Sequence, residues 1–258
     1  MSKSIRFYSL TIIGFLIICS SYTDWPTKPT KSIRVYSEAN FNIMIIGKHA
    51  MSFGVSKRKP QNADFYTNSN FFSKKNNPIG LVVIKGKTIS RKVKGGGYFY
   101  VKNGLPYVKA KSCINKPEYS SQSILWAIDN GIKNKKLFYN ENGQMKVYRT
   151  IIGENSNGDI IVISSTRLGW VSIKEIVDFA ENKGMIEGIL LDGGSSVDYK
   201  FSDGNKTLSL NSVPDGLKAL LDISEPTTYI YGNLKPYNSS NTSFQDIKAS
   251  FRVYNATD

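Results

Sequence analysis

The sequence predicts an α+β fold: a mixed, largely antiparallel β-sheet with hairpins, followed by a C-terminal βαβ unit. Two observations predict it. Short apolar runs separated by turn residues fill the first two-thirds of the chain, and one capped amphipathic helix lies between two later apolar runs. The chain has 258 residues, of which 40% are hydrophobic, so it is long enough to bury a substantial core.

The hairpins are predicted from turn residues that separate consecutive apolar runs at short spacing. Glycine and asparagine are the residues that adopt the positive φ angles of tight hairpin turns, and Asn-Gly is typical of the type I′ turn. The turn segments are Lys85-Gly86-Lys87, Asn103-Gly104, Asp129-Asn130-Gly131 and Asn155-Ser156-Asn157-Gly158. Strands joined by such short turns must be antiparallel, so most of the sheet is expected to be antiparallel.

The predicted helix begins with a capping box. In Ser172-Ile173-Lys174-Glu175 the serine oxygen can accept an early backbone N–H, and the glutamate can return a hydrogen bond. Apolar residues follow at helical spacing, and Gly184 suits the end of the helix. The run Ile160–Ile163 precedes this helix and Gly188–Leu191 follows it. A strand, helix and strand over about thirty residues form a βαβ unit, so we expect these two strands to be parallel.

The N-terminus has the composition of an export signal. Lys3 and Arg6 precede ten apolar residues, Leu10 to Cys19, a stretch too short to span a bilayer as a helix. We therefore expect a signal peptide or lipoprotein signal over residues 1–21, a proline-containing linker over 22–31, and a single domain over 32–258. The protein would be exported: periplasmic, in the cell envelope, or secreted. Soluble secretion and membrane association through an N-terminal lipid or signal anchor both remain open.

The formal charge of +14 is unevenly distributed. Residues 65–117 contain eleven lysines and arginines and neither aspartate nor glutamate. Such a block can attract phosphate, acidic glycan, nucleic acid or anionic lipid, or it can simply be a solvated face. The sequence has one histidine, His49, and two cysteines, which excludes a zinc site built on several histidines or four cysteines. We expect no metal and no cofactor, and chemistry that depends on carboxylates, hydroxyls, amides and basic groups.

A candidate site follows the second strand of the predicted βαβ unit. Asp192 comes directly after the apolar residues 189–191 and is followed by Gly193, Gly194, Ser195 and Ser196. Ligands collect at the carboxyl ends of strands in such sheets, and two glycines let backbone N–H groups approach an anion closely. The alternative interpretation is an Asx-turn that merely ends the strand. The spacing alone leaves both open.

Two weaker polar features complete the candidate residues. Asn62-Ala63-Asp64-Phe65-Tyr66 places an amide and a carboxylate ahead of an aromatic pair, although an ordinary loop would have a similar composition. Arg149 lies inside the apolar run 147–152, where an arginine usually pairs with a carboxylate or faces solvent, and less often binds substrate.

Together these motifs resemble the phosphodiester glycosidase family, the N-acetylglucosamine-1-phosphodiester α-N-acetylglucosaminidase-like proteins. The family's first motif, Asn-Gly/Ala-Gly/Asp-Phe-Phe, resembles residues 62–66 and is followed here by Pro78-Ile79-Gly80. Its middle motif resembles Arg149-Thr150-Ile151-Ile152-Gly153. Its signature, Leu-Asp-Gly-Gly-(Gly)-Ser-Ser, resembles Leu191-Asp192-Gly193-Gly194-Ser195-Ser196. The resemblance covers roughly residues 60–232.

The resemblance implies an exported hydrolase that cleaves a sugar-1-phosphodiester in an envelope or extracellular glycan. In that hypothesis Asp192 is the principal catalytic carboxylate and Asp64 the second, while Arg149 neutralises phosphate. Asn62 would hydrogen-bond the sugar or phosphate, and Gly193, Gly194, Ser195 and Ser196 would supply further donors. The expected partner is an anionic glycan or sugar-phosphate substrate.

Two other classes of function are compatible with the composition. A non-catalytic binder of anionic cell-envelope polysaccharide would use the same pocket without turnover. A basic nucleic-acid-binding module is disfavoured, because the chain has an export signal and lacks a recognised nucleic-acid motif. We therefore expect no nucleic-acid partner.

Overall fold

The computed structural model describes residues 33–112, 115–214, 217 and 226–235. The predicted signal at 1–21 and linker at 22–31 lie outside the described residues. The described chain forms three β-sheets and a few helices, and every pairing between neighbouring strands is antiparallel. The prediction of a largely antiparallel fold is thus confirmed.

The first sheet has seven strands in the order β1-β2-β13-β12-β14-β10-β11. In chain order its strands are β1 (Ile33–Glu38), β2 (Phe41–Ile46), β10 (Leu125–Asp129), β11 (Ile132–Lys133), β12 (Thr150–Asn155), β13 (Ile160–Ser165) and β14 (Met185–Leu190). Its central strands β12, β13 and β14 are buried along nearly their whole length because both faces of this sheet are covered.

The second and third sheets have five strands each. The second, in the order β16-β15-β4-β17-β3, contains β3 (Met51–Ser56), β4 (Phe65–Asn68), β15 (Asp198–Ser202), β16 (Thr207–Asn211) and β17 (Tyr229–Leu234). The third, in the order β6-β5-β9-β7-β8, contains β5 (Val82–Ile84), β6 (Lys87–Ser90), β7 (Gly97–Lys102), β8 (Leu105–Lys109) and β9 (Tyr119–Ser123). The third sheet carries most of the basic block.

The helices are short apart from one. They are a 3-10 helix at Lys135–Leu137, α1 (Glu141–Gln144), α2 (Ile173–Asn182) and a 3-10 turn at Gly194–Ser196. The predicted capping box is present at α2: the Ser172 hydroxyl accepts a hydrogen bond from the Glu175 N–H, and the Glu175 carboxylate accepts one from the Ser172 N–H. Within the described residues no helix has the length and apolarity needed to cross a membrane.

The predicted hairpins form as expected. Strands β5 and β6, β7 and β8, β10 and β11, and β12 and β13 are antiparallel neighbours joined at the four predicted turns. Asn103 and Gly104 both have positive φ, 52° and 68°, as the type I′ turn requires. The local turn chemistry was therefore sufficient to place these strands.

The two strands that flank α2 run in the same direction, as predicted, but they are not neighbours, so an adjacent βαβ pair is not confirmed. Strands β13 and β14 flank α2 in sequence, but β12 lies between them and pairs antiparallel with each. They run in the same direction without pairing with each other. The reason is the β12–β13 hairpin: it occupies the edge of β13 that a returning strand would need, so β14 pairs with the far side of β12.

The core has two parts, one on each face of the first sheet. Alternate strand residues such as Ile152 and Ile189 pack against aromatic residues of the other two sheets, among them Phe65 and Phe99. The intervening residues, such as Ile151, pack against the apolar face of α2. Fully buried side chains of this size stabilise a fold by about 1.5–3 kcal/mol each. The first sheet is therefore the rigid base from which the site projects.

Candidate active site

The Asp192 loop lies where the first and second sheets meet. Asp192 follows β14, and its N–H donates to the carbonyl of Ser69, just beyond the end of β4, at 3.1 Å. On the other side, the Gly194 N–H donates to the carbonyl of Tyr148 at 2.8 Å. A Cβ on Gly193 would lie 2.8 Å from that same carbonyl oxygen, so this position requires glycine. The loop is thus held between two chain segments by its backbone.

Asn68 fixes both ends of this loop. Its side-chain nitrogen donates to the carbonyl of Asp192 at 2.9 Å, and its side-chain oxygen accepts from the N–H of Asp198 at 3.2 Å. The side chain is completely buried at the last position of β4. One amide therefore spans the whole segment from Asp192 to Asp198, which contains the Gly193–Ser196 donors.

The carboxyl of Asp192 belongs to a half-buried residue. Burial raises the pKa of Asp192 to about 6, while hydrogen bonds from the Ser196 side chain and the Gly193 N–H act in the opposite direction by stabilising the ionised form. A carboxyl with this pKa exchanges its proton near neutral pH. This is the range in which acid–base and nucleophilic catalysis by a carboxylate is most effective.

A buried polar network lies behind Asn68. The Asn70 amide donates to the carbonyls of Gln122 and Ile79, and its oxygen accepts from the hydroxyls of Ser121 and Thr228. These residues tie the end of β4 to the third sheet. Since buried polar groups are costly unless paired, a network this complete holds the backbone at residues 68–70 in one position.

A second carboxylate, Asp198, lies at the other end of the loop. Lys59 contacts both of its oxygens at 2.9 Å, and the Tyr229 hydroxyl donates to it at 3.2 Å. Lys59 has its pKa raised by this partner against the opposing effect of burial. Asp198 is therefore engaged in a buried ion pair that anchors the start of β15.

The structure does not bring Asp64 and Asn62 to this site. The Asp64 carboxylate accepts the N–H of Leu234 at 2.8 Å, at the first end of β4, whereas Asn68 and Asp192 lie at its last end. Four residues of extended strand separate these ends by roughly 13 Å. Asn62 is exposed. Asp64 therefore caps a strand of the second sheet, and the structure does not place it where it could act with Asp192.

The side chain of Arg149 is directed towards protein carbonyls. Its guanidinium donates to the carbonyl oxygens of Val171 at 3.2 Å and Met145 at 3.0 Å, and also to Asn142. Burial lowers the pKa of Arg149. Among the ion pairs of the described residues, none involves Arg149. Its backbone flanks the Asp192 loop, but its guanidinium fastens α1 and the segment before α2.

The basic block forms an exposed face of the third sheet. An open groove of about 940 Å³ is lined there by three lysines, Lys85, Lys92 and Lys116, by one acidic residue, Glu118, and by Tyr119 together with polar and apolar residues. Its lining includes none of the predicted site residues. Strand β9 connects the groove to the strand that precedes the Asp192 loop. Its first residue, Tyr119, lines the groove, and its last residue, Ser123, donates a hydrogen bond to the carbonyl of Leu190.

No cluster of three or more histidine, cysteine, aspartate or glutamate residues that could hold a metal ion occurs in the described part of the chain. Cys113, one of the two cysteines, lies outside the described residues.

Comparison with known proteins decides the family. A model of the phosphodiester glycosidase family matches residues 61–218, more than half of the chain. The chain belongs to the phosphodiester glycosidase family. A sequence search of curated proteins found no match.

Solved structures share the fold of this member of the phosphodiester glycosidase family. The zebrafish N-acetylglucosamine-1-phosphodiester α-N-acetylglucosaminidase catalytic domain, auto-inhibited by its pro-peptide, is 12% identical, with a TM-score of 0.55 over 79% of this chain and 82% of that one. A hypothetical protein from Synechocystis is 13% identical, with a TM-score of 0.56 over 79% of this chain and 61% of that one. At these identities the likeness concerns the fold.

The geometry also suggests a second match to the first phosphodiester glycosidase motif. Asn68-Ser69-Asn70-Phe71-Phe72 has the Asn-x-x-Phe-Phe spacing, as a segment six residues after Asn62. Unlike residues 62–66, it lies against the Asp192 loop. The signal that identifies it is the pair Phe71-Phe72, which fits the family pattern more closely than Phe65-Tyr66. Sequence reasoning overlooked this second match and with it Asn68 and Asn70, whereas no local pattern marks Asp198.

Proposed function

We propose that this protein is a hydrolase that cleaves a sugar-1-phosphodiester, with Asp192 as the principal catalytic carboxylate. The observation that carries the proposal is the Asp192 loop itself: a sheltered carboxyl with a raised pKa, set in a glycine-containing loop that Asn68 holds at both ends. The family match supports the reaction class. The anionic glycan or sugar phosphate that would be the substrate is part of the proposal.

The chemistry fits one ionised carboxylate better than a pair of carboxyl groups. Cleavage at the anomeric carbon passes through an oxocarbenium-like state. A nearby carboxylate can stabilise this positive charge, can attack the carbon as a nucleophile, or can act as a base that directs water to it. A phosphate is a good leaving group, so donors that stabilise its charge can replace much of the general acid. In the Gly193–Ser196 loop, the Gly193, Gly194 and Ser196 donors are engaged within the protein, so the N–H and hydroxyl of the exposed Ser195 are the donors suited to that task. We therefore assign no catalytic role to Asp64, Asn62 or the Arg149 guanidinium.

The direct test is hydrolysis of a sugar-1-phosphodiester panel by the purified protein and by Asp192→Asn. We expect turnover by the wild type and a loss of at least 10³-fold in kcat/KM for the variant, with its circular dichroism spectrum unchanged. Asp203→Asn is the matched control, because Asp203 is a half-buried loop aspartate that interacts with the backbone of its own turn. Full activity of Asp192→Asn would remove Asp192 from the mechanism.

The lysine-lined groove supports a second candidate function, non-catalytic binding of anionic cell-envelope polysaccharide. Three lysines and one glutamate, Glu118, line this open groove, so the lining carries a net positive charge that would attract a chain of phosphate or carboxylate groups. Turnover discriminates between the two functions. If no diester is hydrolysed, while an anionic glycan binds and a Lys85→Gln, Lys92→Gln double variant weakens that binding, the binder is the correct function.

We also propose that the protein is exported and acts in the periplasm, the cell envelope or outside the cell. The basic, apolar and small-residue order of residues 1–21 supports this. Cell fractionation with mass spectrometry of the mature N-terminus tests it. A free N-terminus near residue 22 indicates a cleaved signal, whereas a lipid on Cys19 indicates an anchor.

A further inference from the structure

A pair of aromatic side chains flanks the Asp192 loop and takes no part in the chemistry proposed above. Trp170 is 61% exposed, and its ring meets that of Tyr148 edge to face with the centroids 6.1 Å apart. Tyr148 is the same residue whose carbonyl accepts the Gly194 N–H. The two rings are therefore attached to the segment that holds the loop.

The exposure of Trp170 is imposed by a fixed backbone. The Thr166 N–H donates to the carbonyl of Asn40 at 2.9 Å, and the Gly169 N–H donates to the carbonyl of Thr166 at 3.0 Å. Immediately after Trp170, Val171 exchanges two backbone hydrogen bonds with Val147, and the Tyr148 hydroxyl donates to the carbonyl of Arg167 at 2.8 Å. Hydrogen bonds therefore hold the turn on both sides of Trp170, and in this turn the indole lies at the surface.

The same turn exposes a second large apolar side chain. Leu168, two residues earlier, is 92% exposed, so the turn presents two large apolar side chains to solvent together. Contiguous exposed apolar groups mark binding sites more often than isolated ones do. A flat aromatic face with a polar edge suits a pyranose ring, whose axial C–H groups make one face apolar while its hydroxyls remain solvated.

We propose that Trp170 and Tyr148 form a sugar-binding platform that stacks on a pyranose ring of the glycan next to the scissile phosphodiester. The proposal extends the proposed function, since the platform adjoins the loop that carries Asp192. Its role is to hold extended substrates: the indole face contacts the sugar, and Tyr148 positions the indole. The exposed Arg167 beside it can meet a neighbouring phosphate of the same chain.

The test measures the binding of an N-acetylglucosamine trisaccharide to the full chain that carries Asp192→Asn, a background expected to be catalytically inactive. Binding is monitored by tryptophan fluorescence and by calorimetry. We expect Trp170→Ala to weaken binding by about tenfold and to abolish the fluorescence change, and Trp170→Phe to retain most of the affinity. Tyr139→Ala is the matched control, because Tyr139 is a 75% exposed aromatic residue outside this patch, and it should bind like the parent.

The outcomes separate this inference from the proposed function. Hydrolysis of a small diester by the wild type, together with equal trisaccharide affinity in the parent and in Trp170→Ala, overturns the platform and leaves the hydrolase standing. Weakened binding in Trp170→Ala without any hydrolysis by the wild type supports the platform and rejects the hydrolase. If Trp170→Ala abolishes co-sedimentation with phosphatidylglycerol vesicles but leaves trisaccharide binding unchanged, the patch is a membrane contact and the inference fails.

Discussion

The side-chain nitrogen of Asn68 lies 2.9 Å from the carbonyl oxygen of Asp192, to which it donates a hydrogen bond. The side-chain oxygen of the same amide accepts the N–H of Asp198 at 3.2 Å. Since Asn68 ends a strand of the second sheet and Asp192 follows a strand of the first, this amide couples the position of the Asp192 loop to the packing of the two sheets. The predictions below follow from that coupling and from the contacts around it.

Asn68→Ala should impair both activity and stability. It removes two hydrogen bonds from a completely buried site and leaves a buried carbonyl and N–H unpaired, which costs about 1–3 kcal/mol for each group. We expect kcat to fall by at least tenfold and the urea midpoint to decrease. The control is Asn62→Ala, which alters an exposed asparagine before the first residue of β4, at the end opposite to Asn68. If Asn62→Ala impairs turnover and Asn68→Ala does not, the assignment of the site is reversed.

The dependence of activity on pH should report the ionisation of Asp192. Because the pKa of Asp192 is raised to about 6 and the carboxylate is the active form, kcat/KM should rise with an inflection near pH 6. Weakening the stabilising hydrogen bond with Ser196→Ala should move that inflection to higher pH. An inflection that stays in place in Ser196→Ala, or activity that falls as pH rises through 6, contradicts the carboxylate role.

Stability should depend on Asp192 in a defined direction. Its folded-state pKa lies above the ordinary value of 3.8, so the folded protein binds this proton more tightly than the unfolded chain does. As pH rises from about 4 to 7, ionisation of Asp192 therefore lowers the free energy of unfolding, by up to about 3 kcal/mol. Asp192→Asn should gain stability relative to the wild type over this interval, measured by urea unfolding at both pH values. A constant difference between the two proteins would show that the pKa is not raised.

Asp64→Ala should destabilise the protein without removing turnover. The carboxylate accepts the Leu234 N–H at 2.8 Å, and loss of a charged acceptor for a backbone N–H costs about 1–3 kcal/mol. The thermal midpoint should fall, while kcat at a temperature below unfolding should stay within about threefold of wild type. A stable Asp64→Ala variant with no activity would restore Asp64 to the site.

Gly193→Ala should disturb the loop specifically. The added Cβ would lie 2.8 Å from the Tyr148 carbonyl oxygen, and that backbone atom cannot move without displacing β12. We expect a loss of activity of at least tenfold with a small loss of stability. In Gly86→Ala, the control, the new methyl group meets no atom within 4 Å; that turn glycine has φ +75°, so any cost there is local strain. Equal activity of the two variants would show that the loop tolerates displacement.

The sequence alone determined the local elements. Asn103-Gly104 forms its turn, and Ser172 with Glu175 caps the helix, because both depend on interactions among neighbouring residues. The position of Asp192 at the end of a buried strand was also predictable, since the apolar run and the following glycines are adjacent in the chain. The family followed from several such motifs in order.

Only the tertiary structure decided the strand order and the membership of the site. Once the β12–β13 hairpin has formed, β14 can pair only with a strand edge that is still free, and it pairs with the outer edge of β12. No local sequence pattern encodes which edge β14 takes. The choice between Asn62 and Asn68 as a site residue is a second example. Asn62 precedes β4 and Asn68 ends it, and the sequence motif favoured Asn62 as the residue that contacts the substrate. The strand carries them to its opposite ends, so that Asn68 contacts Asp192 and Asn62 faces solvent.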